Sequence, residues 1–218
     1  MLKEIFAKYS AFCPMVFRKT GDDSMDYVST AFFIASKGYL LTSAFTLDTN
    51  DSIHIAYPHQ QKSFYSVNPP SLEYLPVTIQ QIDHEHDLAL LKTVDPVDIS
   101  VPLKLFDSTE DIACGTCVGY LGYPVAHNSV YTISIMSAIV SSKIITPNGL
   151  KMLQIDGASY QGTNGGPVIN TRTGLISGIT SNRYNPVTYG NALFPHISYA
   201  ITIEHVNNLL QRENLYIK

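Results

Sequence analysis

Apolar and polar residues alternate along most of this chain in short runs. The runs are rich in Val, Ile, Thr, Tyr and Phe and are broken by Gly, Pro, Asn and Asp. A half-buried strand needs apolar residues at every second position, and turn formers then end it. The pattern predicts strands at 15–18, 30–35, 39–43, 53–57, 64–67, 75–82, 88–93, 117–121, 130–142, 151–155, 166–169, 175–181 and 198–202. Helical periodicity is confined to the ends. Residues 2–9 predict a short helix. Residues 203–212 predict a second, with Ile203, Val206, Leu209 and Leu210 on one face and Thr202 as its N-cap. About a dozen strands suffice for two six-stranded barrels.

The expectation is therefore all-β: two six-stranded antiparallel β-barrels with an N-terminal and a C-terminal helix. The stretch 93–105, with Pro96 and Pro102, is the natural joint. It puts the N-terminal helix and first barrel in 1–100, and the second barrel and C-terminal helix in 101–218, together forming one domain.

Composition narrows the function. The chain has 218 residues, 45% hydrophobic and 15% charged, which fits a globular protein with a substantial core. The net charge of -4 comes without a Lys/Arg stripe, so no nucleic-acid partner is expected. No apolar run is long enough for a membrane span. The first residues mix charge with apolar groups, unlike a secretory signal, so a cytoplasmic or otherwise intracellular location is expected.

Three cysteines, Cys13, Cys114 and Cys117, make no disulfide framework. Cys114-Gly115-Thr116-Cys117 has redox spacing, but its flanks read as strand rather than helix start, which favours buried free thiols.

Three segments carry chemistry. The first is Gly38-Tyr39-Leu40-Leu41-Thr42-Ser43-Ala44-Phe45, the second Asp87-Leu88-Ala89-Leu90-Leu91, the third Gly162-Thr163-Asn164-Gly165-Gly166-Pro167-Val168. In this order they resemble the active-site blocks of the trypsin-like serine protease superfamily, closest to its Deg/HtrA-type branch. The resemblance runs from about Met15 to Gln211 and implies the double barrel. It gives the histidine position to Phe45, the aspartate position to Asp87 and the serine position to Asn164.

Nucleophilic catalysis of this kind needs a hydroxyl, a base to take its proton and a carboxylate to orient the base. Phenylalanine accepts no proton and an amide is no nucleophile. The resemblance thus implies a degenerate triad, no catalytic activity and a role in binding a protein or peptide, as a module or as a subunit of a larger complex. Asp87 is expected to accept N–H bonds from the backbone near Ala44 and Phe45, and Phe45 to fill the space of the missing imidazole.

Other groups could substitute. Ser159 and Thr163 sit in the serine loop as candidate relocated nucleophiles. His84 and His86 would share one strand face, as a metal pair or as an exposed polar edge. No metal or other cofactor is expected. The resemblance offers the N–H groups of Gly162 and Asn164 as oxyanion donors, although these glycines could equally serve a tight turn. It further places Ala158 at the base of a primary pocket, with Thr180 as its wall on a strand that pairs with substrate. Gly162, Asn164, Ala158 and Thr180 are thus the expected ligand-binding set. The loop after Ser181 carries Arg183, Tyr184 and Tyr189, either as an interface or as a cover for the second barrel.

Overall fold

The structure, a computed structural model, describes residues 1–22, 24–57, 64, 71–102, 104–108, 112–183, 197–213 and 215. Helix α1 (Leu2–Tyr9) turns Ile5 and Tyr9 inward, and the Tyr9 hydroxyl donates to the Gly174 carbonyl at 2.8 Å. The helix thereby closes onto the far barrel from its own end of the chain.

The first sheet holds β1 (Met15–Lys19), β2 (Met25–Thr30), β3 (Phe32–Ala35), β4 (Tyr39–Thr42), β5 (Ile53–Ala56), β6 (Leu75–Asp83) and β7 (Leu88–Thr93). Its order is β2-β1-β5-β6-β7-β4-β3, seven strands where six were expected. The extra strand has a simple origin. β2 and β3 lie on opposite edges of the sheet, yet only Ala31 separates them along the chain, so one bent strand serves both edges. Most of β2 escaped the pattern because it ends in Ser29 and Thr30, polar residues that are fully buried. The expected strand 64–67 falls on residues outside those described, except Phe64, which is exposed and belongs to no strand.

The second sheet is a closed six-stranded barrel ordered β10-β13-β12-β11-β8-β9. It comprises β8 (Cys117–Gly122), β9 (Ser134–Ile145), β10 (Lys151–Asp156), β11 (Pro167–Asn170), β12 (Leu175–Ser181) and β13 (Ile197–Thr202). β9 starts later and runs further than expected, since Lys143, Ile144 and Ile145 still pair with β10. The chain then makes a 3-10 turn (Ile203–His205) into α2 (Val206–Arg212). Ile203, Val206, Leu209 and Leu210 are all buried. Thr202 stands at the N-cap of this turn but makes no side-chain capping bond; its hydroxyl donates to the Lys151 carbonyl at 3.1 Å instead.

Each barrel has its own small core, with Phe33, Leu40 and Leu91 in the first and Val118, Leu153 and Val168 in the second. The largest cluster belongs to neither alone. It joins Ile5, Tyr9, Phe17, Phe32 and Leu90 to Leu121, Ile169, Ile201 and Leu209. This shared apolar seam fixes how the barrels face one another, at roughly 1.5–3 kcal/mol for each large side chain removed from water.

The cysteines depart from expectation. Cys114 and Cys117 are exposed free thiols, Cys114 in a turn and Cys117 at the start of β8, and only Cys13 is buried. His84 and His86 lie in the turn before β7 rather than on a strand, so the shared strand face does not exist.

Candidate functional site

The site is assembled at the seam from four pieces: the turn after β4 (43–46), the turn before β7 (84–87), the serine loop (157–166) and the end of β12. Asp87 is the meeting point. Its side chain is fully buried, and its backbone has φ of 53°, a left-handed conformation that Asp tolerates better than most residues. Ser43 Oγ donates to Asp87 Oδ1 at 2.7 Å, and Ser181 Oγ donates to Oδ2 at 2.5 Å. The Phe45 backbone N–H donates to Ser43 Oγ at 3.3 Å and is directed near enough to the same carboxylate to lower its pKa. One carboxylate thus joins β4 of the first barrel to β12 of the second. Burial raises the Asp87 pKa, and these donors, with the Arg183 charge, offset that in part.

Phe45 does not occupy the space expected of it. Its side chain is 56% exposed, and its role at the carboxylate is played by its backbone. The ring lies on the turn after β4, where the Ser43 side chain rather than that of Phe45 reaches Asp87.

Asn164 is buried, and its Oδ1 accepts the Asn182 N–H at 3.0 Å. Its carbonyl accepts the Thr30 N–H at 2.8 Å, and its own N–H donates to the Gln161 carbonyl at 3.3 Å. This last bond closes a 3-10 turn over Gln161–Thr163. The Asn164 N–H, expected as an oxyanion donor, is thus engaged within its own loop.

The turn is held from both barrels. The Gly162 carbonyl accepts from Tyr27 Oη at 2.6 Å, from Thr30 Oγ1 at 2.8 Å and from the Tyr123 N–H at 3.0 Å. A Cβ on Gly162 would lie 1.7 Å from the Tyr123 carbonyl oxygen, so close approach requires glycine there. Gly165 has φ of 81°, and its N–H donates to the Thr180 carbonyl at 2.8 Å.

The expected pocket walls are laced together. Thr180 is fully buried; its hydroxyl accepts the Gly166 N–H at 3.0 Å and reaches the Thr163 carbonyl. Ile179 is paired on both sides, to Pro167 and to Ile201. The Ala158 carbonyl accepts Tyr120 Oη at 2.6 Å, and burial pushes the Tyr120 phenol up to about 12, which keeps it a donor. Asn182, which the sequence pattern did not single out, completes the lacing. Ser159 Oγ donates to Asn182 Oδ1 at 2.6 Å, and Asn182 Nδ2 donates to the Tyr160 carbonyl at 3.1 Å. An Asn immediately after a strand, able to donate and accept at once, was the one available signal for it.

The substitute groups are equally engaged. Thr163 is buried, and its hydroxyl donates to the Tyr160 carbonyl at 2.8 Å while accepting the Tyr160 N–H at 3.2 Å. His86 Nδ1 lies 2.8 Å from Asp83 Oδ2, directed at that carboxylate. Among the described residues no group of three or more His, Cys, Asp or Glu is placed to hold a metal ion. Arg183 is exposed, while Tyr184 and Tyr189 lie outside the described residues. Phe45, Val125 and Tyr160 are all more than a third exposed, as are the polar Gln161 and Arg183.

A family model described as "Trypsin-like peptidase domain" matches residues 29–179, which takes in the turns at 43–46 and 84–87 and the serine loop and stops just before Thr180 and Ser181 at the end of β12. The chain belongs to the trypsin-like peptidase domain family. Serine protease HTRA4 of Mus musculus is 26% identical over 185 residues, 84% of this chain and 33% of that protein. The peroxisomal leader peptide-processing protease of Homo sapiens is 32% identical over 142 residues, 64% of this chain and 22% of that protein. This trypsin-like chain thus spans about a third or less of the curated relatives it matches. Among solved structures, an HtrA-type protease AlgW with tripeptide superposes with a TM-score of 0.70 at 18% identity, covering 97% of this chain and 62% of that one. The double-barrel, HtrA-type fold is common to both.

Proposed function

We propose that this trypsin-like domain is catalytically silent and works by binding another protein. One observation carries the reading: the residue at the serine position, Asn164, has no hydroxyl, and its amide oxygen is held by the Asn182 N–H. Removing either the nucleophile or the base of such a triad costs about a million-fold in turnover, and here Phe45 stands at the base position as well. The Gln161–Asn164 bond supports the same reading, because it engages a backbone donor on which residual catalysis would depend. The relatives named as proteases supply the ancestry of the frame. The exposed Phe45, Val125 and Tyr160 beside the loop support a binding role, since aromatic side chains at a surface are favoured in interfaces. Such a domain would serve as a module or as a subunit of a larger complex.

The test is labelling by a fluorophosphonate, which marks activated serines, together with cleavage of casein. The natural chain is expected to be silent in both. Beside it, the double substitution Phe45→His, Asn164→Ser reports on the frame: labelling means the loop can still rearrange to an active form, and silence means the Gln161 carbonyl keeps it closed. Labelling or cleavage by the natural chain would overturn the proposal.

A further inference from the structure

His205 and His86 stack face to face, with centroids 4.7 Å apart and planes at 27°. The two come from distant parts of the chain. His86 precedes Asp87 in the turn before β7, and His205 ends the 3-10 turn that leads into α2. The stack is therefore a contact between the C-terminal segment and the turn that carries the central carboxylate.

The state of the His205 ring is defined by a hydrogen bond. The Lys151 backbone N–H donates to His205 Nε2 at 3.0 Å. Only a nitrogen with a free lone pair can accept it, so the ring is neutral with its proton on Nδ1. An imidazolium carries hydrogen on both nitrogens. Protonation would remove this bond, leave the β10 N–H facing another N–H, and place a cation against the His86 ring.

We propose that His205 is a proton-operated clasp, which holds the C-terminal segment to β10 and to the Asp87 turn when neutral and releases it when charged. Among the described residues, four titratable or charged groups act on it. From the β6–β7 turn come His86 and Asp83, from β10 comes Lys151, and from its own turn comes Glu204, 3.8 Å from Nε2. Burial lowers the His205 pKa most, followed by His86, with a smaller lowering from Lys151; Glu204 and Asp83 act in the opposite direction without reversing it.

A histidine whose pKa is lowered in the closed state binds its proton first in the opened state. The clasp is at full strength above the ordinary histidine value of about 6.5 and weakens as pH falls below it.

The experiment is amide hydrogen exchange on the intact chain at pH 7.5 and 5.5, corrected for intrinsic exchange, following residues 83–88, the Lys151 amide and 203–212. The natural chain is expected to exchange at least about threefold faster in these segments at pH 5.5. The variant His205→Gln, whose amide oxygen can accept the Lys151 N–H but does not titrate, is expected to show no such difference. A flat response in the natural chain, or an unchanged response in His205→Gln, would overturn the clasp. Should that variant fold poorly, an NMR titration of the His205 ring in the natural chain decides the matter. Titration below the ordinary value supports the proposal, and titration at or above it refutes it.

Discussion

Ser181 Oγ donates to Asp87 Oδ2 at 2.5 Å across the seam between the two barrels. The bond lets the end of β12 neutralise part of the cost of a buried carboxylate that the β6–β7 turn brings in. Ser181→Ala would leave Asp87 buried with one donor fewer. A hydrogen bond to a charged group contributes about 1.5–3 kcal/mol, so a loss of that size is expected in urea unfolding. A loss below about 0.5 kcal/mol, within the range of ordinary surface changes, would show that Ser181 does not support the carboxylate.

Asp87 gives stability an unusual slope with pH. Its pKa is raised in the folded state, chiefly by burial. Between the ordinary carboxylate value of about 3.9 and that raised value, the folded form binds the proton more readily than the unfolded one. Stability from this group therefore falls as pH rises through that window. Asp87→Asn, which does not titrate, should remove this component when unfolding free energies of the two chains are compared across acidic pH. Parallel profiles would contradict the assignment.

Gly162→Ala should be severely destabilising, because the new Cβ would meet the Tyr123 carbonyl oxygen at 1.7 Å. More than about 4 kcal/mol, or failure to accumulate as folded protein, is expected. Gly21→Ala is the control: its nearest neighbour is the Ser24 Cβ at 3.8 Å, so thermal unfolding should scarcely change.

Phe45→Ala and Tyr160→Ala remove side chains that are 56% and 50% exposed. Each should leave the melting temperature nearly unchanged, within the roughly 0.5 kcal/mol typical of surface changes, while weakening capture of the protein partner proposed for this surface. A large fall in melting temperature would instead make these rings part of the core.

The thiols separate by burial. Cys114 and Cys117 are exposed and Cys13 is buried, where desolvation raises its pKa. A thiol-reactive dye should titrate Cys114 and Cys117 rapidly in the native chain and Cys13 only on unfolding. Protection of the exposed thiols would contradict the position of the 113–116 turn.

Much of the fold was legible because short apolar and β-branched runs ended by turn formers are a local signal. β7 and β12 fall on their expected ranges, buried on both faces from Leu88 to Leu91 and from Ile176 to Ser181. The signal fails where buried residues are polar. Ser29 fell outside the expected strand 30–35 and Thr30 only opened it, yet both end β2, where Thr42 and the Gly162 carbonyl, remote in sequence, satisfy their hydroxyls.

The site divides along the same line. By itself the sequence determined the residue types at the three positions the resemblance points to: a ring without a lone pair at 45, a carboxylate at 87 and an amide at 164. It also determined the glycines that permit a tight loop. Only the tertiary structure decided what those residues do. Phe45 turns its ring outward while its N–H is directed near Asp87, Asn164 is held by Asn182, and the Gln161 carbonyl accepts the Asn164 N–H. Residue type is fixed at each position, but a hydrogen bond depends on where the partner's atoms lie. At this seam the partners come from two barrels that are brought together only when the shared apolar core closes.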